Sequence, residues 1–334
     1  MTASITRKDV LRLGAGMLAA PFVIQPARAA GRPVVLRLST PDAMSHPNTE
    51  VMQQFGELVA KRTENAVKLQ IFPDGQLGTM ANAISGVQMG TIDMAVTGPT
   101  MFETAIPRLG VFSLPFLFRD AASAERVIDG KLGQSLVGQT EGAGAYVLAC
   151  STWGWRETET VNRIVREPAD FEGLKLRLAP GPIGAMTFKT LGAIPTTIDA
   201  SELYVAVSQG TVDGFEVPFL SLVASKYYEV IKHVSLTNHA YNPVWAVISK
   251  RRMDSLTPEQ QQVIRSTALE LQPSWRKLAA SSTEDARKFI ESKGIDVVET
   301  DYPAFRKKLA VVYDWFKQRT DPAFVDSWVN ATET

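Results

Sequence analysis

The chain is poor in the residues on which most redox and metal chemistry depends. Cys150 is its one cysteine, and His46, His233 and His239 are its three histidines, in 334 residues. A lone thiol excludes an internal disulfide, a zinc–thiolate cluster and a CxxC redox pair. On the apolar stretch Tyr146-Val-Leu-Ala-Cys150 it reads as a packing residue. The histidines are scattered, with no second ligand at i+4 and no serine–carboxylate pair beside them. They read as surface or capping residues, His46 near the start of the first helix being the one placed to face a cleft. No GxGxxG, P-loop, HExxH or GxSxG stands in the chain outside the false lead Gly14-Ala-Gly16, so common nucleotide, zinc and serine-hydrolase machinery lacks its parts. Neither metal nor cofactor is expected. An excess of one charge is also missing: 35 Lys+Arg balance 35 Asp+Glu, with no basic block. Nothing here attracts a phosphate backbone or an anionic membrane surface, so nucleic acid is not a partner.

Long apolar runs are absent as well. The longest candidate, Leu13–Ile24, has twelve residues and contains Pro21, too short for a spanning helix of ~20 residues. With Arg7, Lys8 and Arg12 before it and Ala27-Arg-Ala29 after it, residues 1–29 read as a cleavable export signal and Ala30 as the mature start. Thr6-Arg-Lys-Asp-Val-Leu-Arg12 resembles the twin-arginine motif with Lys8 in place of the second arginine, so Sec and Tat export both stay open. The expected location is the periplasm.

What is present is an ordinary globular composition, 45% hydrophobic and 21% charged, long enough for two domains of ~100–200 residues. Val34–Leu38 reads as a strand, and Val51, Met52, Phe55, Leu58 and Val59 give the next segment a helical stripe. Val67, Leu69 and Ile71 alternate with polar residues as in a half-buried strand, and Phe72-Pro-Asp-Gly75 is a turn. A helix near 81–89 and a strand at 92–96 complete a βαβαβ opening. A helix after Gly130 and a strand over 145–151 lead to Thr152-Trp-Gly-Trp-Arg156. A second α/β series follows, with strands at 174–178 and 193–198, helices at 183–191 and 201–209, and a turn into another strand at 212–216. Thr257-Pro-Glu-Gln260 is a capping box opening a helix whose apolar face runs from Val263 past Pro273 to Leu278, long enough to lie across both units. The expected fold is α/β: a two-lobed flytrap, each lobe a mixed sheet flanked by helices. The expected division is 30–153 with 243–282 for lobe 1 and 154–242 with 283–334 for lobe 2.

Several segments in order resemble the solute-binding proteins of tripartite ATP-independent periplasmic (TRAP) transporters, the DctP family. They are Phe72-Pro-Asp-Gly-Gln-Leu-Gly78, Gly86-Val-Gln-Met-Gly-Thr-Ile-Asp-Met-Ala95, Leu114-Pro-Phe-Leu-Phe118, Phe171-Glu-Gly-Leu-Lys-Leu-Arg177, Leu191-Gly-Ala-Ile-Pro195 and Glu202-Leu-Tyr204 leading to Val212-Asp-Gly214. The resemblance implies a receptor that closes over an organic acid anion and delivers it to the small and large subunits of a membrane permease. It also implies that Arg177, ending the GLK-x-R strand, forms a two-point salt bridge with the substrate carboxylate. A guanidinium is always charged near neutral pH and presents a planar fork matched to two carboxylate oxygens.

Arg156 stands where relatives carry a second arginine, offset by one residue. Trp153 and Trp155 flank it and would shield an ion pair from water. Phe215-Glu-Val-Pro218 departs from the Gln-Glu-Asn-Pro of relatives. Val217, with Phe215 or Phe219 nearby, predicts a pocket wall that meets something apolar, and leans away from dicarboxylates because a second carboxylate there would be unpaired. Ser39, Thr40, Asp42, His46 and Thr97-Gly-Pro-Thr100 lie where the family gathers polar contacts, although such residues before a helix are also caps. The reading is a non-enzymatic binding protein for a monocarboxylate with an apolar or aromatic body, a sugar or keto acid coming next. A sensor subunit or an enzyme on the same fold, and a dicarboxylate bound in a shifted mode, are the alternatives.

Overall fold

Alternation of apolar and polar residues along 67–71 makes a strand that parallels the first one, Val34 facing Val67 and Ser39 facing Phe72, as the computed structural model shows for residues 32–333. The export signal and the mature start at Ala30 lie outside the described residues. The opening unit is β1 (Val34–Ser39), α1 (Pro47–Arg62), β2 (Val67–Phe72), α2 (Met80–Met89) and β3 (Met94–Thr97). The stripe on α1 buries Val51, Met52, Phe55 and Val59, and His46 is its N-cap, accepting from the Asn48 N–H. Short 3-10 turns at Pro99–Phe102 and Pro107–Ser113, then α3 (Ala121–Asp129) and α4 (Lys131–Gln139), lead into β4 (Ala145–Thr160). The second series is β5 (Lys175–Leu178), α5 (Pro182–Thr190), β6 (Ile194–Thr197), α6 (Ala200–Ser208) and the two-residue β7 (Gly214–Phe215). After α7 (Phe219–Ala224) come β8 (His233–Ser249), α8 (Lys250–Asp254), α9 (Pro258–Ser292), β9 (Asp296–Glu299), α10 (Tyr302–Lys317) and α11 (Pro322–Glu333).

The strands join in the order β2-β1-β3-β8-β4-β7-β5-β6, with β9 added to β8. One lobe is built on β2-β1-β3 and the other on β7-β5-β6, each with parallel pairs joined by helical crossovers. The antiparallel pair β4 and β8 runs through both. The strand expected to stop at Ser151 therefore continues through the tryptophan–arginine segment to Thr160. Its pairing slips between Thr152 and Gly154 and again between Arg156 and Thr158. Such bulges bend a strand and re-aim its side chains, and here they fall where the chain passes between lobes.

Helix α9 begins on the expected capping box and runs 35 residues without ending at Pro273. Ile264, Ala268 and Trp275 of its first half belong to the core around β1 and β3, and Ala279, Ala286 and Ile290 of its second half to the core around β7. A helix of that length spans roughly 50 Å, enough to tie the two lobes along one side. Among the described residues no helix is long and apolar enough to cross a membrane.

Candidate binding cleft

The crossing strands form the floor of a cavity of about 790 Å³, part of it open to solvent. Gly98, Pro99, Thr100 and Ser113 wall it from one lobe, Leu178, Thr187, Phe188 and Glu216 from the other, while Trp153, Arg156 and the stretch His239–Pro243 pave the floor. A smaller space of about 330 Å³ lies beside it, where Ser39, Gly75 and Thr97 of one lobe approach Asp199 and Ser201 of the other.

Trp153 and Arg156 reach the same cavity although they are three apart on one strand. Strict alternation would send them to opposite faces, but Trp153 is the extra residue of the bulge at Thr152/Gly154. Gly154 follows with φ +110°, a conformation essentially reserved for glycine. The Trp153 indole N–H donates to both Asp42 carboxylate oxygens at 3.0 Å. Asp42 in turn accepts from Asn48 Nδ2 at 3.4 Å, and Asn48 Oδ1 accepts from Trp275 Nε1 of α9 at 2.7 Å. A buried polar chain thus runs from the cavity floor to the long helix.

The two arginines are held differently. Arg156 turns Nε and Nη2 onto Glu216, to a carboxylate oxygen and to the main-chain carbonyl. Arg177, only 3% exposed, donates Nε to the Ile198 carbonyl at 2.7 Å. Among the described residues its Nη1 and Nη2 have no hydrogen-bond acceptor. Burial lowers its pKa, opposed by the nearby Glu216 carboxylate. Burial alone would raise Glu216, but the Arg156 guanidinium and His239 hold it down at about 2. His239 is pushed below its ordinary value by burial, against the pull of Glu216, whose Oε2 lies 3.5 Å from Nε2. A neutral imidazole in this position keeps Nδ1 for the Thr237 hydroxyl at 3.0 Å.

Arg156 and Trp153 thus line the cavity itself. Arg177 is not among the residues that line it, although its strand neighbour Leu178 is. Trp155 packs edge-on against Tyr241, ring centroids 5.3 Å apart, and does not line the cavity. The side chains of Phe215, Val217 and Phe219 belong to the core of the second lobe, and the Val217 N–H donates to the Glu159 carboxylate at 3.0 Å. The apolar pocket wall expected from these three residues is therefore packed away from the cavity. Thr97 borders the smaller space. Thr40 is buried, its hydroxyl accepting from the Asp42 N–H at 3.2 Å, and His46 is buried as a helix cap.

Sequence reasoning missed His239, which lines the cavity and is 6% exposed where a surface residue was expected. It also passed over Asn242, Tyr241 and Thr187. Thr187 Oγ1 is buried with no hydrogen-bond partner among the described residues, and an unsatisfied buried hydroxyl facing a cavity is a mark of a binding wall.

The DctP family model, described as bacterial extracellular solute-binding protein, family 7, matches residues 38–319. The 2,3-diketo-L-gulonate-binding periplasmic protein YiaO of Escherichia coli is 39% identical to this chain over 77% of it and 79% of its own length. The crystal structure of the sugar acid binding protein DctPAm from Advenella mimigardefordensis, in complex with galactonate, superposes with a TM-score of 0.88 at 28% identity, covering 90% of this chain and 98% of the other. A TRAP periplasmic solute-binding protein from Polaromonas bound to D-erythronate superposes at 0.85 with 30% identity, over 89% and 98%. The family model over most of the chain and the relative 39% identical to it show the same thing: the chain belongs to the DctP family of extracellular solute-binding proteins, the receptors of TRAP transporters.

Proposed function

We propose that this chain is a periplasmic TRAP receptor whose cargo is a sugar acid, held through its carboxylate by Arg177. The observation that carries the reading is the state of that guanidinium: buried, fixed by Ile198, and with both terminal nitrogens lacking an acceptor among the described residues. An end-on pair of N–H donors fixed in this way matches the two oxygens of a carboxylate. The cavity beside it offers Thr100, Ser113, Thr187, His239 and Asn242, the hydroxyl, imidazole and amide groups that suit a polyol. The expectation of an acid with an apolar body gives way on two counts. Phe215, Val217 and Phe219 are committed to the core, and the similar proteins are described with diketogulonate, galactonate and erythronate.

The remaining parts of the reading follow the same logic. Residues 1–29 direct export, the lobes comprise 30–153 with 243–282 and 154–242 with 283–334, and the closed complex delivers its cargo unchanged to the small and large permease subunits. Isothermal calorimetry with galactonate, erythronate, galacturonate and diketogulonate tests the ligand class. At least one should give a saturable one-to-one isotherm. Arg177→Ala should weaken it by about 2–5 kcal/mol, roughly thirtyfold or more in Kd. Full affinity in that variant would remove Arg177 from the site.

A further inference from the structure

Helix α5 turns one face to the cavity: Gly184, Thr187 and Phe188 line it, with Gly181 at the helix cap beside them. Residues three and four apart share a face of a helix. The two glycines keep that face low, since a Cβ at Gly181 would meet nothing within 4 Å and one at Gly184 only Leu178 at 3.9 Å. Thr187 is the polar group on this face, and it is only 2% exposed. A threonine inside a helix commonly gives its hydroxyl to the carbonyl four residues back, as Thr190 does to Met186 and Thr283 to Ala279, both at 2.8 Å. The Thr187 hydroxyl makes no such bond to Ile183, nor any other among the described residues. A buried hydroxyl without a partner costs folding free energy, and a ligand hydroxyl in the cavity would relieve that cost. Thr100 and Ser113 line the same cavity but are half-buried, so water can take the place of ligand on them.

We propose that Thr187 is a specificity-determining residue whose hydroxyl pairs with one hydroxyl of the sugar acid, so that the site selects acids hydroxylated at that carbon over those deoxygenated there. The inference rests on the sugar-acid reading of the cavity, and not on which residue holds the carboxylate. A site built to bond a ligand hydroxyl rejects the analogue that lacks it, because its own buried group is then left unpaired. Valine keeps nearly the shape of threonine without the hydroxyl, and serine keeps the hydroxyl without the methyl. The two substitutions therefore separate bonding from packing.

The test is isothermal calorimetry with D-galactonate, D-erythronate, galacturonate and 2,3-diketo-L-gulonate, the tightest binder being carried forward with its singly deoxygenated forms. Thr187→Val should weaken that acid at least roughly tenfold in Kd, and Thr187→Ser should keep it within about threefold. One deoxygenated acid should bind the unaltered protein weakly and lose nothing further in Thr187→Val, whereas the others should lose as much as the parent acid. Without ligand, Thr187→Val should melt no lower than the unaltered protein, because it deletes an unpaired hydroxyl. Unchanged affinity in Thr187→Val overturns the proposal, as does an equal loss in Thr187→Ser or the same loss with every deoxygenated acid. A lower melting temperature for ligand-free Thr187→Val overturns it too, since the hydroxyl would then already have a partner. If the unaltered protein binds none of the four acids, the sugar-acid reading falls and this proposal with it; if it binds one and Thr187→Val binds it equally, only this proposal falls.

Discussion

Charged side chains in this cleft differ less by type than by what already holds them. Arg156 is satisfied by Glu216, whereas the terminal nitrogens of Arg177 have no acceptor among the described residues. Glu103 shows the opposite condition. It is 9% exposed, Oε1 has no partner among the described residues, and burial pushes its carboxyl up from 4.5 to about 8. A carboxyl raised in the folded state favours folding in its neutral form, so its contribution is intact below pH ~4.5 and is lost as pH rises through about 8. Glu103→Gln should therefore raise the melting temperature at pH 8.5, by about 2–4 °C for each kcal/mol recovered, and leave it unchanged at pH 4 in scanning calorimetry. Equal shifts at both pH values would show that Glu103 is not a buried neutral acid. Arg177 was singled out in the sequence because the residues around it form a motif. Glu216 and His239 were not, since their roles arise from strands more than twenty residues apart.

At the level of elements, most of the fold follows from local pattern. The stripe on α1, the alternation in β2 and the capping box of α9 each appear where periodicity and end signals put them. The length of β4 did not, because the Thr152–Arg156 segment breaks the two-residue period that marks a strand. Its bulge carries Trp153 into the cavity and forces Gly154 to φ +110°. A methyl group at Gly154 would meet only ordinary contacts, the nearest being Pro218 and Thr283 at 3.5 Å. The penalty of Gly154→Ala is therefore backbone strain, ~1–3 kcal/mol of unfolding free energy in denaturant titration. It should also weaken ligand binding by displacing Trp153. A variant as stable as the parent would mean that the crossing strands relax freely around the bulge.

Taken whole, the molecule is two α/β lobes held by a crossing strand pair and one long helix, with the candidate cleft at the seam. Gly75 of one lobe lies against Ser201 of the other, so the lobes meet at the rim as well as at the floor. Ligand that bridges the seam favours the closed arrangement by its differential affinity for it. Small-angle scattering should show a smaller radius of gyration on adding a bound sugar acid, and an unchanged curve at saturation would speak against hinged closure. The most direct measurement is a crystal structure with the acid bound. The account predicts its carboxylate on Arg177, both oxygens at about 2.7–2.9 Å from the terminal guanidinium nitrogens, with the hydroxylated end toward His239 and Asn242. A carboxylate seated on Arg156 in place of Glu216, with Arg177 untouched, would contradict it.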